Sequence, residues 1–345
     1  MLILGIDTSC DDTSCAVVRD GRVLLSNVVS SQVDLHAKYG GVVPEIASRK
    51  HLEMMVPVTL EALERANVSL RDLGAVAVTN GPGLLGSLLV GLSFGKSLAF
   101  ALGIPIAGVH HLDGHIMANF LGDETPSFPL LNLVVSGGHS DLVLMKGPGA
   151  YELLGQTRDD AAGEIFDKVA RELGLPFPGG PYLDREAEEG DPEFLDFTHP
   201  KIDGGRFDFS FSGMKTRALQ ALNSSRLPDG SVPPTIVRNI SASLRAAVVR
   251  DLLWNVPMLL RETKARGFAV CGGVAANSLL RAEASRVARE AGVPLYIPPR
   301  ELCTDNGAMI AAAAWPYLQG GHADGPELNA DASLELVSRA LTNSL

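Results

Sequence analysis

At 345 residues, 46% hydrophobic and 20% charged, the chain suits two α/β lobes with a large buried core, and nothing in it argues for disorder. A formal net charge of −11 argues against coating nucleic acid by general electrostatics, so a nucleic-acid substrate would need a local basic patch or a partner. The four cysteines, Cys10, Cys15, Cys271 and Cys303, form no CxxC pair, which disfavours a disulfide framework or thiolate zinc site and points to a reducing, cytoplasmic compartment.

The chain opens with MLILGIDTSCDDTS, which lacks a basic n-region and breaks its apolar run at Gly5 and Asp7, so no export is expected. Residues 2–29 predict three strands, LILGI, CAVV and RVLLSNVV, with a polar first turn and a tight second turn at Asp20-Gly21. Residues 31–66 predict a helical insertion in which Leu52, Met55, Val56, Leu60 and Leu63 recur at helical spacing. Residues 75–115 read as a strand, the Gly-rich turn NGPGLLGS, a small-residue helix and then GIPIAGVHHLDGH. Asn80, Pro82 and the glycines suit a buried helix better than a membrane span, and no transmembrane segment is expected. Residues 130–154 repeat the opening meander, with VSGGHS as the first turn. Residues 155–190 predict a helix, a Pro/Gly turn and a second helix, the stretch 196–217 is extended and turn-rich, and helices fill roughly 235–265. Residues 268–305 repeat the second unit: strand FAVC, glycine turn GGVAAN, a helix, then GVPLYIPPRELCTD.

A repeat of this length indicates two copies of one lobe rather than a solenoid. The lobes are expected at 1–125 and 126–305, with the tail 306–345 a candidate to return to the first, and with equivalent glycine turns facing each other across a cleft. Aligning Gly103-Ile104-Pro105 with Gly292-Val293-Pro294 carries Asp305 onto position 116, next to His115.

His111 and His115 are four apart, so on a helix both imidazoles project from one face and could share an ion; two hydrogen-bonded histidines near a loop are the alternative. Adding Asp305 makes a two-His, one-carboxylate set that leaves positions open for substrate and suits iron(II) best, with zinc and manganese open. A protease HExxH would need Glu where Leu112 stands, and Asp113 points to another side of the helix. The VSGGHS turn can bring backbone N–H groups to a phosphate or acyl oxygen, or be a plain hairpin turn; Ser136 and His139 lack the setting of a nucleophile elbow. Asp7 suits a metal or phosphate network or an Asx-turn equally. Asp167, Gly180 and Asp184 read as loop and cap residues or as ribose contacts, and Asn277 as an N-cap or a nucleotide partner.

Together GIDTSCDDTS, GGVVPEIASRKH, NGPGLLGSL, HHLDGH, VSGGHS, AAGEIFDKVAR, GLPFPGGP, FSFSGMKT, CGGVAANS and CTDNGAMI resemble the universal tRNA N6-adenosine threonylcarbamoyltransferase family, formerly classed as O-sialoglycoprotein endopeptidases. The resemblance spans about residues 2–320. It implies a duplicated actin and sugar-kinase-like α/β fold with the active site in the interlobe cleft. It further implies metal-dependent transfer of threonylcarbamoyl from its adenylate to the exocyclic amine of the adenosine beside the anticodon, in tRNAs reading codons that begin with adenine, with release of AMP. Metal ligation falls on His111, His115 and Asp305, and substrate contact on Val135, Ser136, Gly137, Gly138, His139, Asp167, Gly180, Asp184 and Asn277, with His139 the candidate proton acceptor. Implied partners are tRNA, threonylcarbamoyl-adenylate, a paralogous non-catalytic subunit (TsaB-like) and a small P-loop ATPase (TsaE-like), with no membrane. Family members commonly carry Glu where this chain has Asp113, which puts the tuning around the metal in doubt. The alternatives are a small-metabolite kinase or ATPase of the same fold, which would hold magnesium through carboxylates, and a non-catalytic nucleotide-binding partner subunit.

Overall fold

The opening alternation resolves into β1 (Leu2–Asp7), β2 (Asp12–Arg19) and β3 (Val23–Ser31) in a computed structural model that describes residues 1–199, 202 and 207–338. Asp20 and Gly21 both have positive φ, the two-residue turn whose twist matches antiparallel strands. β1 pairs with β2 from Leu2 opposite Arg19 to Asp7 opposite Ser14. A short helix α1 (Val33–Ala37) precedes α2 (Pro44–Ala66), which starts on a proline whose missing N–H is not needed there.

α2 is the expected helical insertion, but its buried face differs from the expected stripe. Leu52, Val56 and Leu60 are 67, 53 and 57% exposed, while Ala47, His51, Met55, Val58 and Ala62 are buried. His51 decides this: its ring nitrogens lie 2.8 Å from Thr13 Oγ1 and 3.0 Å from the Cys10 carbonyl, which rolls the helix so that a polar residue faces the sheet.

β4 (Ala75–Gly81) lies parallel to β1, followed by α3 (Leu85–Leu102), β5 (Ile106–His110) and α4 (His111–Met117). By length and composition α3 could cross a bilayer; in the structure it packs on β4 with Leu88, Gly91, Leu92, Gly95 and Ala99 buried. The sheet order is β3-β2-β1-β4-β5.

The grammar then recurs: β6 (Leu130–Val135), β7 (Ser140–Gly147) and β8 (Ala150–Gln156), then α5 (Ala162–Glu172), α6 (Gly179–Glu186), α7 (Ser212–Ser224), α8 (Pro234–Leu253) and α9 (Val256–Glu262). β9 (Gly267–Cys271), α10 (Ser278–Ala291) and β10 (Leu295–Tyr296) complete the repeat. β6 pairs with β9 in parallel from Leu130 opposite Gly267 to Val134 opposite Cys271. The second sheet, β10-β9-β6-β7-β8, has the order of the first. Of the stretch expected to be extended, residues 200, 201 and 203–206 lie outside the described residues, as do 339–345 of the tail.

The chain divides into unit 1, Met1–Pro126, Met145–Glu152 and Pro298–Leu345, and unit 2, Ser127–Leu144 and Leu153–Ile297. Asp305, which the repeat assigned to the second lobe, therefore belongs to unit 1. The reason is α11 (Gly307–Gln319), whose buried alanines pack on β1, β2 and α4. Gly5 and Gly307 make the approach possible: a Cβ on Gly5 would lie 2.0 Å from the Gly307 carbonyl oxygen, and one on Gly307 2.5 Å from that of Gly5. Helix and strand backbones thus meet where side chains cannot fit.

Candidate metal centre and candidate nucleotide contacts

The metal candidates begin where β5 runs into α4. His110 is the N-cap: its Nδ1 accepts the Leu112 N–H at 3.1 Å and its Nε2 lies 3.0 Å from the Leu334 carbonyl. Capping by His110 leaves His111 and His115 on one face, one turn apart, with ring centroids 4.7 Å apart and edge-on.

Asp305, two residues before α11, completes the set within unit 1. Its Oδ1 lies 3.4 Å from His111 Nε2 and 3.3 Å from His115 Nε2, and one ligand atom from each residue falls within 4.8 Å of the others. His115 is fully buried, yet neither ring nitrogen has a hydrogen-bond partner among the described residues. Its Nε2 faces Asp305 Oδ1 at 3.3 Å, the spacing that two ligands of one ion would have. Orphaned imidazole nitrogens this deep are costly, and coordination satisfies them, so the residues fit a metal.

Electrostatics agree. Burial opposes charging His111, but Asp305 and then Asp7 outweigh it and lift the imidazole pKa to about 10. Burial likewise opposes ionising Asp305, but His111 first and then His115 hold its carboxyl far below the usual range. The three residues form a tight acid–base group.

Around this set lie residues that the sequence flagged weakly or not at all. Asp7 Oδ2 stands 3.4 Å from His111 Nδ1 and Ser9 Oγ 3.2 Å from it, so the β1–β2 turn orients the imidazole from behind. Asp7 also accepts the Ser9 N–H at 3.1 Å, the local turn that the sequence offered as one of its two readings. Asp12 has its carboxyl pushed up to about 7, by burial first and Asp305 second. Asp113 points away from the ligands and accepts from Tyr151 and Tyr317, the latter at 3.3 Å. Burial and then Asp113 push the Tyr151 hydroxyl well above its ordinary range. The tyrosines lie 38 and 204 residues away, beyond any local pattern.

The nine other candidate residues fall in unit 2, and hydrogen bonds tie several of them to neighbouring elements. Val135 ends β6, and Gly272 packs against its backbone at φ +90°, where a Cβ would lie 2.3 Å from the Val135 carbonyl oxygen. In the turn, the Ser136 N–H donates to the His139 carbonyl at 2.9 Å, while Gly137 and Gly138 stay exposed and the His139 side chain is half-buried. The first turn of α5 grips this turn: Gly163 N–H donates to the Ser136 carbonyl at 3.2 Å and Ala162 N–H to Ser140 Oγ at 2.9 Å. Asp167, on the same helix, accepts from the Gly179 and Gly180 N–H groups at 2.7 and 3.2 Å and so caps α6. From α6, Asp184 accepts from Asn277 Nδ2 at 2.9 Å and from the Ser278 N–H at 3.0 Å, while Asn277 Oδ1 caps α10 through the Leu280 N–H at 3.0 Å. Asp167 and Asn277 thus cap α6 and α10.

A model of the tRNA N6-adenosine threonylcarbamoyltransferase family matches residues 23–312. The protein of that name from Anaeromyxobacter dehalogenans (strain 2CP-1) is 51% identical over 335 residues, 97% of this chain and 99% of its own. That from Geobacillus kaustophilus (strain HTA426) is 51% identical over 336 residues, 97% of each chain. Among solved structures, full-length HypF in its phosphate- and nucleotide-bound form aligns with a TM-score of 0.61 at 14% identity, over 94% of this chain and 56% of that one. HypF of T. kodakarensis also gives 0.61, at 16% identity over 92% and 48%. These structural likenesses concern the fold alone, and the two sheets of identical order are the duplicated actin and sugar-kinase-like α/β architecture expected of the sequence.

Proposed function

Because the chain belongs to the tRNA N6-adenosine threonylcarbamoyltransferase family, and is thus an acyltransferase acting on tRNA, we propose that it uses a His111–His115–Asp305 metal centre to transfer threonylcarbamoyl from its adenylate to the adenosine beside the anticodon, releasing AMP. The carrying observation is the buried His115, whose two ring nitrogens lack hydrogen-bond partners among the described residues and stand beside His111 and Asp305. A divalent ion held there, iron(II) by ligand type, with zinc and manganese as competitors, supplies Lewis acidity toward an acyl or phosphate oxygen.

The remaining chemistry belongs to the chain's own residues. The adenosine exocyclic amine attacks the carbamoyl carbon of the mixed anhydride, the carbon–oxygen bond to phosphate breaks, AMP leaves, and the amine proton passes to a base. No covalent nucleophile is needed, because the donor is already activated. The Ser136–His139 turn supplies backbone N–H groups for phosphate or acyl oxygens, and its exposed Gly137 and Gly138 let a ligand approach the main chain. Asp167, Gly180, Asp184 and Asn277 orient the nucleoside, and His139, half-buried at the end of the turn, accepts the proton. With a formal charge of −11, tRNA docking draws on a paralogous subunit and a P-loop ATPase, in the cytoplasm.

The test is a single-turnover reaction with threonylcarbamoyl-adenylate and unmodified tRNA, partners supplied, comparing the unmodified chain with His111→Ala and Asp305→Ala. Modified nucleoside from the former and at least about 100-fold less from either variant is expected, as for loss of metal or its outer shell. Equal activity in all three would remove the metal from the reaction.

A further inference from the structure

Arg245 sits in the middle of α8 and reaches α6 and the start of α10. Its Nη1 donates to the Asp184 carbonyl at 2.9 Å, to Asp184 Oδ1 at 2.9 Å and to Ser278 Oγ at 3.4 Å, and its Nη2 donates to the Ala187 carbonyl at 3.2 Å. A single planar fork thus holds two carbonyls at the end of α6 and the carboxylate through which α6 meets α10. The Arg245 and Asp184 side chains are 13 and 17% exposed, so the pair is largely shielded from water and its geometry is well defined.

Asp184 spends its hydrogen-bonding capacity unevenly. Oδ1 meets three donors, Arg245 Nη1, Asn277 Nδ2 at 2.9 Å and Ser278 Oγ at 3.1 Å, whereas among the described residues Oδ2 meets only the Ser278 N–H at 3.0 Å. A carboxylate offers about four lone-pair positions, two on each oxygen, so one remains on Oδ2. Asn277 keeps a second Nδ2 hydrogen, its Oδ1 being taken by the Leu280 N–H. One acceptor beside one donor is the complement of a vicinal diol, such as the two hydroxyls of a ribose.

We infer that Arg245 is a positioning residue: by fixing Oδ1 it turns the Asp184 carboxylate so that Oδ2 and Asn277 present that acceptor–donor pair to the ribose hydroxyls of the nucleotide. The inference rests on the reading that Asp184 and Asn277 contact the nucleoside. Lysine keeps the charge and much of the stem, but as a single point it cannot hold the Ala187 carbonyl and the carboxylate together. Methionine removes both contacts while filling a similar volume.

The experiment is calorimetric titration of the full chain with AMP and with 2′,3′-dideoxy-AMP, for the unmodified protein, Arg245→Lys, Arg245→Met and Asp184→Asn, each checked for folding by its thermal transition. The unmodified protein is expected to prefer AMP by roughly tenfold or more, as sites built for hydroxyls do. Both Arg245 variants should lose most of that preference by weakening AMP, with dideoxy-AMP binding within about twofold of the unmodified protein. A merely structural role would lower the transition temperature and leave the ratio of affinities unmoved. If Asp184→Asn abolishes the preference while either folded Arg245 variant keeps it, the inference fails and the nucleoside reading stands. If the unmodified protein shows no preference, both fall.

Discussion

Replacing Gly307 by alanine probes the contact that carries Asp305 to the two histidines. The added Cβ would meet the Gly5 carbonyl oxygen at 2.5 Å, the Ala16 nitrogen at 2.6 Å and the Cys15 carbonyl carbon at 2.9 Å. All three are backbone atoms of the β1–β2 pair, so no side chain can swing away. Reaching ordinary contact at 3.4 Å requires α11 to retreat by about 0.9 Å. Overpacking of this kind costs about 1–3 kcal/mol. Asp305 lies two residues upstream and moves with the helix, whereas metal–ligand distances tolerate only about 0.2 Å. The expected outcome is a thermal transition several degrees lower and a metal affinity, measured with cobalt(II) or zinc(II), reduced about 10–100-fold, as for disrupted outer-shell support. Gly213→Ala, with open space around its Cβ on α7, is the control and should change neither. A Gly307→Ala protein with the parent's stability and metal affinity would refute the assignment of Asp305's position to this contact.

Two further outcomes follow from buried acids. Burial pushes the Asp141 carboxyl up to about 7, so its neutral form favours folding at low pH and that stabilisation is lost as pH rises from the unfolded carboxylate range through about 7. Asp141→Asn should flatten this loss and make the protein more stable at pH 8, by several kcal/mol at most at about 1.4 kcal/mol per tenfold in proton affinity; parallel pH–stability curves for the two proteins, from urea unfolding, would rule this out. Tyr151→Phe removes one of the hydroxyl donors to the buried Asp113, and should cost about 1–3 kcal/mol and change the visible spectrum of the cobalt(II) protein, because Asp113 shares the short helix α4 with His111 and His115; an unchanged spectrum and stability would detach Tyr151 from the centre.

Local spacing was sufficient for part of this site. His111 and His115 share a face because four residues are about one helical turn, and HHLDGH directly follows a strand in the sequence. The glycine turns at Ser136–His139 and Gly272 were legible for the same reason, since consecutive glycines mark places where backbone must come close. The exposed row Leu52, Val56 and Leu60 shows where spacing misled: it has the period of a buried stripe, yet His51 faces the sheet through hydrogen bonds to Thr13 and the Cys10 carbonyl. Periodicity counts apolar residues and is blind to a polar one whose partners are elsewhere.

From the sequence alone came the duplicated strand–turn–helix grammar, the histidine pair and the residues now joined along α5, α6 and α10, because each depends on neighbours within a turn or a strand. Tertiary structure alone decided that Asp305 belongs to unit 1, that Asp7 and Ser9 stand behind His111, that two distant tyrosines hold Asp113 and that Arg245 occupies half of Asp184. The repeat did point to Asp305, but for another reason than the one realised: what brings it to His115 is the backbone contact between Gly5 and Gly307, more than three hundred residues apart in sequence, which only packing creates.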